Sequence, residues 1–141
     1  MIGGLIASAC ALVAAAALGL GWRARNGRVR AAAADGGRSV SGLTEADLGA
    51  ALGNRATLVQ FSSAFCAPCR ATRQILGDVA GMVEGVAHVE IDAESRLDLV
   101  RRLDVRRTPT TLVLGPDGQI THRASGQPRK ADVIAALGAV I

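Results

Sequence analysis

Phe65-Cys66-Ala67-Pro68-Cys69-Arg70 is the stretch on which the reading of this chain turns. Two cysteines three positions apart follow a β-branched, apolar run over 56–61 and open a helical pattern over 71–83. This places both sulfurs at a helix N-terminus. There the free backbone N–H groups and the positive end of the helix dipole stabilise a thiolate. Pro68 suits the first helical turn, which tolerates a residue without an N–H. Cys66 comes first and is expected to be the more exposed sulfur and the nucleophile. Cys69 lies one turn on, close enough to close a disulfide onto it.

The pair has two rival readings. A zinc site wants four ligands, and only Cys10, His88 and His122 remain to supply them, with Cys10 in an apolar leader. No metal is therefore expected. Two buried structural cysteines are the other rival. A strand, then C-x-x-C, then a helix favours redox chemistry over both.

The surroundings bound the rest. The chain has 141 residues, enough for one domain and an appendage. Trp22, Phe61 and Phe65 are its only aromatics, so the core must be built from Leu, Val, Ile and Ala. Residues 1–40 carry five arginines against Asp35, whereas residues 41–141 carry eleven basic and eleven acidic side chains. The excess positive charge thus lies beside the leader and argues for a membrane-proximal collar rather than for nucleic-acid binding. Three cysteines, one of them in the leader, do not make a disulfide-stapled secreted scaffold.

Residues 2–22 hold no charge. As a helix this stretch spans about 31 Å, the thickness of a bilayer's hydrocarbon core. Trp22 suits an interfacial anchor. A cleaved signal peptide is the alternative, but a basic n-region and a small-x-small site just after the apolar run are both missing. Residues 1–22 are thus expected to be a single transmembrane anchor and 23–41 a basic, flexible linker. The arginines after the anchor place the following domain, 42–141, on the cytoplasmic face by the positive-inside rule.

Within 42–141, Thr44-Glu45-Ala46-Asp47 resembles a capping box and predicts a helix through Leu52. Strands are expected over 56–62 and 86–92, and helices over 66–83 and 95–103, the latter capped by Ser95. A hairpin follows over 110–114 and 119–124, and Pro128 opens a closing helix through Leu137. The order α-β-α-β-α-β-β-α implies an α/β domain, a mixed sheet with helices on both faces.

Several motifs in this order resemble the thioredoxin family. They are the stretch 57–70, the stretch 86–92, Val105-Arg106-Arg107-Thr108-Pro109-Thr110, Gly115-Pro116-Asp117-Gly118 and Ser125-Gly126. Together they cover about 100 residues, the size of one small domain. The resemblance implies a thioredoxin-like fold and a thiol-disulfide oxidoreductase that reduces protein disulfides through Cys66 and Cys69 without a cofactor. Its partners would be a disulfide-bearing protein and an upstream thiol donor. It also implies that Thr108–Pro109 is a cis bond facing the cysteines, with the Thr108 backbone pairing to an extended substrate. Gly126 would let a substrate backbone approach the same surface. The chain departs from the family in two places. Phe65 stands where Trp is usual. Gln60 replaces a buried Asp that helps deprotonate the resolving cysteine, and His88 stands where a Lys often pairs with that Asp. A hydrogen bond between Gln60 and His88 beneath the disulfide is therefore expected, with His88 or water carrying the proton. The alternatives are an outward-facing reductase or isomerase of exported proteins, and a redox-sensing docking module without turnover.

Overall fold

The computed structural model describes residues 2–32 and 42–141. Residues 33–41, the second half of the expected linker, lie outside the described residues.

Helix α1, Ile2–Arg25, is followed by β1 (Arg30–Ala31), α2 (Glu45–Leu48), β2 (Ala56–Ser62), α3 (Ala67–Met82) and β3 (Val86–Asp92). Then come α4 (Leu97–Arg102), β4 (Thr110–Leu114), β5 (Ile120–Ser125) and α5 (Lys130–Gly138). The five strands form one mixed sheet in the order β1-β5-β4-β2-β3. β2 runs parallel to β3 and antiparallel to β4, and β4 and β5 form the hairpin.

β2 is buried at every position, as a central strand must be. Its alternation divides the core. Val59 and Phe61 point to one side, with Leu43, Leu48, Leu99, Leu103, Leu112 and Leu114. Ala56 and Leu58 point to the other, with Leu76 and Val79 of α3, Val113, and Val133, Ala136 and Leu137 of α5. Leu side chains fill most of the first layer, as the scarcity of aromatics requires. Gln60, next in the α3-facing series, is also fully buried. The apolar layer beneath α3 therefore turns polar at the end where the cysteines lie.

Local signals explain most boundaries, and several differ from the sequence expectation. The Thr44 capping box forms: Asp47 N–H donates to Thr44 Oγ1 at 3.2 Å, and Thr44 N–H to Asp47 Oδ2 at 2.9 Å. But α2 ends at Leu48 rather than Leu52. Gly49 adopts φ 66° and returns its N–H to Glu45, a left-handed stop that glycine permits. Ser95 does not cap α4, because its hydroxyl donates to Asp92 at 2.6 Å, and the helix begins two residues later without a side-chain cap. α5 begins at Lys130, beyond Pro128, with Arg129 at its N-cap. Finally, the expected linker is not irregular throughout: Arg30 pairs with Arg123, and Ala31 with His122.

α1 is exposed along its described side chains. By length and composition it suffices to cross a bilayer, a test that an N-terminal leader peptide would also meet.

Candidate functional site

The site is built where β2 leaves the sheet and α3 begins. Cys66 is the N-cap of α3, in extended conformation, and its sulfur accepts the Cys69 N–H at 3.2 Å. Pro68 occupies the first turn, where a missing N–H costs nothing. Cys66 and Cys69 form a disulfide with a Cα–Cα distance of 5.2 Å. The two sulfurs are not equivalent. Cys66 is half-buried, whereas Cys69 is only 2% exposed. Phe65, just before the pair, is fully exposed with φ 57°, a left-handed conformation that a bulky residue rarely adopts. The turn presents the aromatic ring to solvent beside the disulfide.

Beneath Cys69 lies a buried polar cluster. The Gln60 side-chain amide donates to the Cys69 carbonyl at 2.8 Å and to Ser62 Oγ at 2.9 Å. A carbonyl oxygen only accepts, so these bonds fix the orientation of the amide. Gln60 Oε1 therefore faces His88 Nε2, at 3.2 Å. Because Oε1 can only accept, His88 carries its proton on Nε2, and Nδ1 of the neutral ring holds the free lone pair. Burial holds the His88 pKa below its ordinary 6.5; the nearby Glu90 carboxylate opposes that shift and Arg73 adds to it. Gln60 thus joins His88 to Cys69, and its bond to His88 is the contact that the family resemblance implied.

Several neighbours were not foreseen. Arg73 of α3 grips Glu90 of β3 with two hydrogen bonds, at 2.5 and 2.6 Å. That guanidinium, and then the Ser62 hydroxyl, hold the Glu90 carboxyl below the usual range against the cost of its burial. Thr111 of β4 pairs with Gln60 of β2, and its hydroxyl is buried without a hydrogen-bond partner. A hydrophobic-periodicity reading treats Ser62 and Thr111 as strand residues only. The one available signal was polar residues on a strand face that is otherwise apolar.

The second wall comes from the loop before β4. Thr108–Pro109 is cis. Thr108 Oγ1 lies 2.7 Å from Ser63 Oγ, which ties this loop to the turn carrying the cysteines. The Gly126 N–H donates to the Pro109 carbonyl at 2.7 Å, which sets Gly126 against the cis-proline loop. Its flank is not open, however. A Cβ at Gly126 would lie 2.1 Å from Oδ1 of the chain's own Asn26.

A half-exposed cysteine at a helix N-terminus, bonded to a buried one, is suited to two-electron exchange with an external disulfide. Among the described residues, no three His, Cys, Asp or Glu side chains stand together as a metal-binding group.

Comparison with known proteins agrees with this geometry. A thioredoxin family profile matches residues 39–139, well over half of the chain. The thioredoxin of Mycoplasma pneumoniae is 28% identical over 81 residues, covering 57% of this chain and 78% of that protein. Thioredoxin H5 of rice (Oryza sativa subsp. japonica) is 25% identical over 72 residues, and the match spans only 53% of its length. Among solved structures, a thioredoxin of Nicotiana alata superposes with a TM-score of 0.55 at 23% identity, over 62% of this chain and 74% of that one. A mutant thioredoxin of Halobacterium salinarum NRC-1 gives 0.57 at 21% identity, over 62% and 75%. These structures share the fold. Profile, fold and cysteine pair together make the chain a thiol-disulfide oxidoreductase, and it belongs to the thioredoxin family.

Proposed function

We propose that the chain is a membrane-anchored reductase of protein disulfides, with Cys66 attacking and Cys69 resolving. The observation that carries this reading is the asymmetry of the pair, since only Cys66 is open to a partner. The Cys66 thiolate attacks one sulfur of a substrate disulfide. A Cys66–substrate mixed disulfide forms, and the substrate's other sulfur leaves as a thiolate and takes a proton. Cys69, once deprotonated, attacks Cys66 Sγ and releases the second substrate thiol. Two electrons reach the substrate, and Cys66–Cys69 is left oxidised until an upstream dithiol reduces it. His88, or a water at its ring, takes the Cys69 proton. Gln60 cannot take it, because a carboxamide has no basic site in this pH range. Pro109 and Thr108 form the opposing wall, and Phe65 supplies an apolar rim.

The anchor reading draws on the uncharged stretch 2–22 of α1, and the cytoplasmic face on the arginines that follow that stretch, beginning with Arg23 and Arg25 in the helix's last turn. A cytoplasmic position agrees with a reducing role. Protease protection of residues 42–141 in sealed, right-side-out vesicles is the expected result, and digestion from outside would reverse the orientation. For the chemistry, Cys69→Ser should accumulate a mixed disulfide with substrate. Cys66→Ser should form none and turn over no substrate. Trapping through Cys69 in the Cys66→Ser variant would reverse the assignment.

A further inference from the structure

The part of the expected linker that directly follows α1 is folded onto the domain. The Gly27 N–H donates to the Ser125 carbonyl at 2.8 Å. Arg30 and Ala31 extend the sheet beyond β5. Val29 packs against the core layer beneath α5, in a recess it shares with His122, Asp132, Ala135 and Ala136.

The fit is closest at two glycines. Gly27 has φ +74°, and a Cβ there would lie 1.8 Å from the Gln127 carbonyl oxygen. Gly126 has φ +94°, and its Cβ position is filled by the Asn26 side chain. Each glycine thus admits the other strand's backbone or side chain to a distance that any other residue would forbid. Gly126 in turn bonds the Pro109 carbonyl, and Thr108 bonds Ser63 in the turn before Cys66. The segment therefore covers one flank of the rim around the disulfide, along with the outer edge of β5.

Three features make this contact releasable. The strand is only two residues long, too short to hold by its ladder alone. Asn26 Oδ1 is buried without a hydrogen-bond partner, a desolvation cost that lifting off would remove. Arg30 stands directly opposite Arg123, and like charges across a strand pair repel.

We propose that residues 26–31 form a strap in which Asn26 and Gly27 determine specificity. With the strap docked, the cysteine pair exchanges with small disulfides but is poorly accessible to extended protein segments. Lifting the strap opens the Gly126 flank to them. The covalent step is unchanged, and the strap governs only which disulfides reach Cys66.

The test uses the full chain in detergent micelles, with Gly27→Val to expel the strap and Val29→Asp to remove its apolar foot. Amide hydrogen exchange over residues 26–31 reports release. Activity is read as the rate with insulin divided by the rate with a small aromatic disulfide. Both variants should lose amide protection at position 27, whose N–H donates to the Ser125 carbonyl. The ratio should rise about fivefold, as expected if the strap is docked in most molecules. Release without a rise in the ratio would overturn the proposal. So would protection that persists in both variants, because the contacts named here would then not be what holds the segment.

Discussion

His88 Nε2 stands 3.2 Å from Gln60 Oε1, and the Gln60 amide is itself fixed by the Cys69 carbonyl 2.8 Å away on its other side. A residue without acid–base function thus links Cys69 to the titratable ring of His88. Truncating Gln60 would leave the Cys69 carbonyl, Ser62 and His88 short of partners at a buried site. Gln60→Ala should therefore destabilise the domain by about 1–3 kcal/mol, the usual cost of unsatisfied buried polar groups. Urea unfolding of the oxidised protein measures this, and a loss well below that range would show that the cluster rearranges freely.

His88 gives the stability a pH dependence of definite sign. Burial places its folded pKa below the ordinary 6.5, so the unfolded chain binds the proton more readily. Its contribution is fully present above pH 6.5 and is lost as pH falls toward the folded value. Glu90 is also held below its ordinary value, 4.5, so its contribution is lost only at lower pH. The two windows are separate. His88→Gln should flatten the stability profile between about pH 7 and 5 and leave the more acid limb in place. An unchanged slope over that interval would remove His88 as its source.

The same ring is assigned the Cys69 proton. His88→Ala should shift the pH profile of disulfide exchange, and stopped-flow rates with a protein disulfide provide the comparison. If the profile does not move, His88 and Gln60 are a structural pair within the sheet.

The Thr44 cap offers a check on the fold away from the site. Its hydroxyl accepts the Asp47 N–H, and Asp47 returns the bond. Thr44→Ala should cost about 1 kcal/mol, typical of a lost N-cap, with exchange activity unchanged. Thermal unfolding and the activity assay together test both halves of that statement.

The features legible in the sequence were those encoded locally. The cysteine pair, the run over 56–62, the Thr44 box and the hairpin around Pro116-Asp117-Gly118 each carry their signal within a few residues. Gln60 and His88 could be paired in advance only through the family resemblance, and the structure brings them into contact. What escaped was non-local. Arg30 and Ala31 show no period of their own; they are a strand only because β5 offers them an edge. Arg73 and Glu90 lie 17 residues apart and meet because α3 packs on β3. Ser95 has the right chemistry for a cap, but Asp92 competes for its hydroxyl more successfully. Gly126 was expected to leave room for a substrate, and Asn26, 100 residues earlier in the chain, fills that room.

The central claim is that Cys66 and Cys69 act as a reducing dithiol. The most direct test is their equilibrium reduction potential in a thiol–disulfide buffer. It is best measured on the full chain in micelles, with Cys10→Ala so that only one pair titrates. The account predicts a value near about −270 mV, that of a thioredoxin-like reductant. A value near about −120 mV, that of a disulfide donor, would contradict it and would favour an oxidising compartment despite the arginines beside α1.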